Sequence, residues 1–198
     1  RRLGHRLRKR EGSCVYNGLA NSCQIDWNTQ FGDDWMIPFS PNSGYIHNSR
    51  GPNSGSYVGG AIEWSEEVGL LPSEDYAPNL ERVESGQFRH VFGETGNYYE
   101  RFPDGWRETA KLFRAQEWEW VETVDEWVSA LLDGFVCEGG RNSHAICHCG
   151  LAWDNGRIYS IYTNSWGAWG STLDTFKGPL QSFGFDSESL ISTMVRRD

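Results

Sequence analysis

The chain has 198 residues, of which 38% are hydrophobic and ten are Trp, enough apolar surface for one large domain or two half-domains around a shared cleft. No run of 18 apolar residues occurs, so no transmembrane helix is expected. Six of the first ten residues (RRLGHRLRKR) are Arg or Lys, whereas the rest carries 12 basic against 27 acidic side chains. Basic residues confined to a terminal arm do not indicate a nucleic-acid surface. The arm is expected to be solvated or to dock onto an acidic partner.

The first half of the chain reads as helices separated by irregular segments. Residues 14–26 carry apolar or small side chains at helical spacing. Residues 40–56 are rich in Ser, Asn, Gly and Pro, which predicts a loop. Residues 57–69 resemble a second helix, ended by Gly69. A long aromatic-rich stretch without clear periodicity follows to about residue 112.

The second half predicts a helix followed by a β-hairpin. Residues 121–134 form an amphipathic pattern stopped by Gly134. Two strand-like runs, 144–153 and 157–166, surround Asp154-Asn155-Gly156, and Asn-Gly between alternating apolar runs is a strong hairpin signal. Helices first and sheet later favour an α+β architecture of two lobes.

The hairpin brings a histidine and an asparagine near each other. In an antiparallel pair centred near residues 154–155, facing positions have numbers that sum to roughly 308–310. His144 and Asn164 sum to 308, so we expect them to face each other within about one residue of register. An amide beside an imidazole can orient a general base. The alternative is that both are polar residues with structural roles only.

A cysteine opens the first helical pattern. Cys14 follows Gly12-Ser13, and a thiol at a helix N-terminus has its thiolate stabilised by unpaired backbone N–H groups. A nucleophile, a base and an orienting amide, in that chain order, are typical of thiol hydrolases.

Several segments, in order, resemble the papain family of cysteine peptidases. GSCVYNGLA (12–20) is similar to the segment around the family's nucleophile, and NSHAICHCGL (142–151) to its His segment. NSWGAWG (164–170) looks very like the Asn-Ser-Trp-Gly segment. GGAIEWSEEVGLLPSEDYAP (59–78) resembles the Gly-Gly helix and the stretch after it, and VDEWVSALLDGFV (124–136) the helix and strand before the His.

The resemblance implies a two-lobed papain-like fold, with a basic arm over 1–10, a mainly helical lobe over 11–112 and a mainly β lobe over 113–198. It implies peptide-bond hydrolysis through an acyl-thioester, with a peptide or protein as substrate and no cofactor. The site residues it implies are the nucleophile Cys14, the base His144, the orienting Asn164, the shielding Trp166, the cleft residue Ser143 and the substrate-pairing Gly59 and Gly60.

The sequence departs from the family where an oxyanion donor is expected. The family has a Gln six residues before the nucleophile, and this chain has Arg8, followed by Lys9 where the family has Gly. Loss of one oxyanion donor costs about 10²–10³ in rate, although an Arg is itself a possible donor. A second alignment matches Cys14 to an earlier, disulfide-forming Cys and Asn17 to the nucleophile, and it predicts an inactive protein. The chain is thus an active peptidase, an impaired papain-like binding module, or a related Cys-His amidase cutting peptidoglycan peptides.

The five cysteines indicate neither a disulfide framework nor a metal site. Their number is odd and their spacing irregular, which favours a reducing, intracellular, bacterial or phage-like context. His144, Cys147, His148 and Cys149 include ligand-type residues, but strand alternation places His144 and His148 on one face and the two cysteines on the other. Four such side chains do not converge on zinc without a bulge, so we expect no bound metal.

Overall fold

The computed structural model describes residues 12–31, 39–51, 54–72, 102, 104–141, 144–163, 175–179 and 189–194. The elements in chain order are helices α1 (Cys14–Phe31), α2 (Pro41–Asn48), α3 (Val58–Glu67) and α4 (Trp106–Ala110), strand β1 (Ala115–Val121), helix α5 (Val124–Leu132), and strands β2 (Val136–Arg141), β3 (His144–Asp154), β4 (Arg157–Thr163), β5 (Thr175–Pro179) and β6 (Ser189–Met194). Within these residues no helix has the length and apolar character needed to cross a bilayer.

Helix α1 is the buried centre of the helical part. Its apolar positions recur every three or four residues and are covered on most sides; the buried ones are Val15, Tyr16, Leu19, Ala20, Cys23 and Trp27. Trp27 packs against Phe113 with ring centroids 5.0 Å apart. A helix buried nearly all round belongs to the interior of the fold, and this burial extends α1 beyond the predicted end at residue 26.

The prediction of a loop over residues 40–56 is wrong for its first half, which forms α2. Pro41 occupies the first turn, where its missing N–H costs nothing. Gly44 lies so close to the Tyr16 ring that an added Cβ would overlap it. Packing against α1 therefore stabilises a helix that composition alone does not indicate.

Six antiparallel strands form one sheet in the order β1-β6-β2-β3-β4-β5. The predicted hairpin is confirmed as β3 and β4, joined at Asn155 and Gly156, whose φ angles are 49° and 72°. Two consecutive left-handed residues give the type I′ turn that matches strand twist. Strand β1 and the pairing of β6 between β1 and β2 were not predicted.

Helix α5 confirms the predicted amphipathic helix, with tighter bounds. Thr123 accepts from the backbone N–H of Glu126, and the Glu126 carboxylate accepts from the backbone N–H of Thr123, a capping box. The capping box satisfies orphan amides at the helix start. Trp127, Ala130 and Leu131 are buried in a second apolar cluster beneath β2 and β3.

Candidate active site

Cys14 is the first residue of α1, as the sequence indicates. The carbonyl of Ser13 accepts the helix's first backbone hydrogen bond from Asn17, at 3.0 Å. The Asn17 side-chain amide also donates to the Ser13 carbonyl and hydroxyl, at 2.9 and 3.1 Å. These hydrogen bonds hold the residue before Cys14 in place. The Cys14 thiol is therefore fixed at the N-terminus of α1, next to the positive end of the helix dipole.

The Cys14 thiol lies against the start of β3. It packs against the core cluster that contains Ala145, and the backbone amide of Ala145 lowers the pKa of the thiol. Burial raises the pKa of the Cys14 thiol, and the nearby Glu138 carboxyl raises it further, while the backbone amides of Ala145, Val15 and Cys14 itself lower it. The net shift is upward, so these surroundings by themselves favour the neutral thiol.

His144 begins β3 and is partly exposed. It pairs with Arg141 in the ladder between β2 and β3. Because Ala145 directly follows it, the contact between Cys14 and Ala145 brings the predicted nucleophile and the predicted base into the same neighbourhood.

Near the site, the ladder between β3 and β4 has a register at the upper end of the range expected from the sequence. The pairs Cys147↔Thr163 and His148↔Tyr162 each sum to 310, and a bulge follows at Cys149. Direct facing of His144 and Asn164 requires a sum of 308, and the observed sum differs from it by two. Asn164 lies outside the described residues, so its part in the site stays a prediction.

Glu138 is a feature of this region that sequence reasoning missed. It lies on β2 opposite Cys147, is 1% exposed, and neither carboxylate oxygen has a hydrogen-bond partner. Its Oε1 would lie 2.8 Å from a Cβ added to Gly18, one helical turn after Cys14. Burial raises the pKa of Glu138 well above its ordinary value, because the charged form has neither water nor a partner. A glutamate flanked by apolar strand residues gives no sequence signal of such burial.

Gly59 and Gly60 lie in the first turn of α3, so their backbone is helical rather than extended. The Gly60 carbonyl accepts from the Asn48 side chain at 3.0 Å, and the ring of Trp120 would lie 3.0 Å from a Cβ added to Gly59. The non-helical backbone of this region is the preceding segment 54–57. The role of Gly59 and Gly60 in pairing with a substrate backbone stays a prediction.

The remaining predicted site residues, Arg8, Ser143 and Trp166, lie outside the described residues, as does Asn164. Their roles stay predictions.

The cluster of ligand-type residues on β3 is built differently from a metal site. His148 is buried, its Nδ1 lies 2.7 Å from the Ser160 hydroxyl, and Trp127 meets its ring edge-on at 4.5 Å. Burial lowers the pKa of His148 to about 3. All five cysteines are free thiols. In the part of the chain that the structure describes, no three His, Cys, Asp or Glu side chains converge on a metal position.

No protein-family model and no curated protein sequence matches the chain. Xylellain, a cysteine protease from Xylella fastidiosa, has a similar structure with a TM-score of 0.70 at 17% identity, over 94% of this chain and 81% of that one. Digestive procathepsin L 3 of Tenebrio molitor larval midgut gives 0.67 at 14% identity, over 92% and 64%. The cysteine protease and lectin-like domains of Cwp84, a surface layer associated protein of Clostridium difficile, give 0.66 at 13% identity, over 95% and 48%.

These solved structures share one architecture, and the similarity extends over more than nine-tenths of this chain. It agrees with the order of elements described above, in which a buried helix begins at a cysteine and packs on an antiparallel sheet. The predicted α+β class is thereby confirmed, and the chain has the papain-like fold.

Proposed function

We propose that the chain is a cysteine peptidase that cleaves peptide bonds with Cys14 as nucleophile and His144 as general base and acid. The observation that carries the proposal is that Cys14, at the start of α1, packs against the core cluster that contains Ala145. That packing joins the N-terminus of the buried helix to the residue after His144. The papain-like fold and its protease neighbours support the same assignment.

In the proposed reaction His144 takes the proton of the Cys14 thiol, and the thiolate attacks the carbonyl carbon of the scissile peptide bond. Collapse of the tetrahedral species breaks the C–N bond, and the imidazolium gives its proton to the leaving amine. The acyl-thioester is then attacked by water, whose proton passes to His144. Release of the carboxylic acid restores the thiol, so the cycle needs no metal or organic cofactor.

Burial at Cys14 determines what His144 has to supply. An isolated thiol in these surroundings has a raised pKa, so few molecules would carry a thiolate at neutral pH. An adjacent imidazolium favours the thiolate by direct charge attraction in a poorly solvated place. We therefore expect the nucleophile to depend strongly on His144.

The other roles follow the family resemblance. Asn164 orients the imidazole, Trp166 shields that hydrogen bond from water, and Ser143 lines the cleft. Arg8 and the Cys14 backbone N–H stabilise the oxyanion. Gly59 and Gly60 pair with the substrate backbone. The acidic body of the protein favours basic or neutral peptides.

The test is intact-mass labelling with an epoxysuccinyl thiol reagent. Cys14 and Cys149 are the two half-buried cysteines, and the other three are buried, so Cys149→Ala is the matched control for Cys14→Ala. We expect one adduct on the wild type and on Cys149→Ala, none on Cys14→Ala, and labelling slowed about 100-fold or more in His144→Ala. A folded wild type that stays unlabelled, or labels equally without Cys14, would refute the proposal.

An impaired papain-like binding module is the second candidate, and two observations favour it. Arg8 replaces the family's oxyanion Gln, and burial with Glu138 raises the pKa of the Cys14 thiol. A labelled Cys14 without cleavage of an unfolded protein substrate would support this candidate. If Arg8→Gln then increases cleavage about 100-fold, the missing oxyanion donor is the cause. Release of cell-wall peptides without protein cleavage would instead indicate the amidase.

A further inference from the structure

A buried hydrogen bond joins α1 to the end of β4. The side-chain amide of Asn21 donates to the Thr163 hydroxyl at 3.0 Å, between residues 142 positions apart in sequence. Asn21 is 9% exposed and Thr163 is 6% exposed. A hydrogen bond shielded from water in this way resists sliding of the helix along the sheet, because breaking it leaves buried polar groups without partners.

This hydrogen bond joins two elements that carry members of the proposed triad. Asn21 lies two turns after Cys14 on the same helix, and Thr163 pairs with Cys147 on the strand that His144 begins. The residue after Thr163 is Asn164. One side-chain contact thus ties the helix of the nucleophile to the hairpin that carries the base and leads into the orienting amide.

The helix also packs against other strands of the sheet, among them β2 and β3. Cys14 contacts β3 at Ala145, and Gly18 lies against Glu138 of β2. Apolar and glycine contacts of this kind set the distance between helix and sheet but not the register along it. A directional bond to β4 supplies that missing constraint.

We propose that Asn21 is a positioning residue, whose hydrogen bond to Thr163 fixes the end of β4 relative to α1 and so aligns Cys14 with His144 and its orienting amide. The inference rests on the proposed cysteine-peptidase function. It concerns alignment of the reacting groups, and Asn21 itself touches neither substrate nor reacting atoms. Small misplacements of such groups reduce rates strongly.

The test compares Thr163→Val with Thr163→Ser. Valine keeps the branched shape and removes the hydroxyl, whereas serine keeps the hydroxyl. We measure the rate constant for Cys14 labelling against pH, and kcat and KM on a cleaved peptide. Thr163→Val should label about fivefold to tenfold more slowly, with its acidic limb moved to higher pH because the thiolate–imidazolium pair is misaligned. In Thr163→Val, kcat should fall with KM unchanged, whereas Thr163→Ser should stay within about twofold of the wild type.

Two controls separate alignment from stability. Ser160→Ala removes another buried hydrogen bond on β4, the one to His148, and should lower stability without changing the labelling profile. Asn21→Ala should reproduce the Thr163→Val defect, and the double variant should be no slower than either single one.

The outcomes distinguish the two proposals. A labelled wild type with an unchanged Thr163→Val profile, or an equal defect in Ser160→Ala, overturns the positioning role and leaves the peptidase intact. A wild type whose Cys14 does not label overturns both, because no reactive pair then exists to be aligned.

Discussion

The unpartnered Glu138 carboxyl predicts that the protein loses stability as the pH rises above the ordinary pKa of a glutamate. The residue is 1% exposed and its oxygens have no hydrogen-bond partner. Burial places its pKa in the folded protein well above the ordinary value of an unfolded glutamate. The folded state therefore holds this proton more tightly than the unfolded state does. Its contribution to stability is complete below the unfolded pKa and is lost as the pH rises towards the folded pKa.

The size of the effect follows from proton linkage. Between the unfolded and folded pKa values, one proton changes the free energy of unfolding by about 1.4 kcal/mol per pH unit. Glu138→Gln keeps the shape beside Gly18 and removes the titration. Relative to this variant, the wild type should lose stability as the pH rises from 5, with a slope of at most about 1.4 kcal/mol per pH unit. His148 works in the opposite direction below pH 6.5 because its folded pKa is lowered, so only the difference between wild type and variant isolates Glu138.

Urea unfolding at pH 5, 6, 7 and 8 measures that difference. The matched control is Glu119→Gln, an exposed strand glutamate, whose difference from wild type should stay flat across the same pH range. If the curves of wild type and Glu138→Gln run parallel from pH 5 to pH 8, the carboxyl is not held in its neutral form and the reasoning from burial fails.

Three further changes test other parts of the fold by urea unfolding. In the wild type, the imidazole of His148, with its pKa of about 3, stabilises the fold above its ordinary pKa and loses that effect as the pH falls. The free energy of unfolding should therefore fall by about 1.4 kcal/mol per pH unit between pH 6 and pH 4, and His148→Gln should remove this slope. An unchanged slope in the variant contradicts this. Gly69→Ala and Gly134→Ala share φ angles of 89° and 90°, but only at Gly69 would the new Cβ overlap a backbone carbonyl, that of Ala110. We expect losses of about 1 kcal/mol at Gly134 and about 3 kcal/mol or more at Gly69, and equal losses would refute the packing argument. Thr123→Ala should cost about 1 kcal/mol by removing the N-cap of α5, with Thr123→Ser close to wild type; a larger loss in Thr123→Ser would contradict the capping role.

The features predicted correctly from sequence are those fixed by neighbouring residues. The Asn155-Gly156 turn and the amphipathic run of α5 each contain their own signal within about a dozen positions. Helix α2 does not, because the residues that favour it lie on α1, where the Tyr16 ring receives Gly44. Composition over 40–56 therefore predicted a loop where packing forms a helix.

The same distinction between local signals and long-range contacts applies to the candidate site. Cys14 and His144 could be proposed from the sequence because each opens an element and lies in a segment that resembles a papain-family motif. The ladder sums to 311 beside the turn, outside the expected range of 308–310, and the bulge at Cys149 brings the sum to 310 near the site. A bulge of this kind has no reliable sequence signature, so the register at the site could be predicted only to within a residue or two. Asn21 contacts Thr163 of β4, and Glu138 of β2 contacts Gly18 of α1, so both contacts join residues far apart in the sequence. The residues that hold the nucleophile's helix in place thus become visible only once the sheet is assembled, which is where variants at Thr163 and Glu138 have their value.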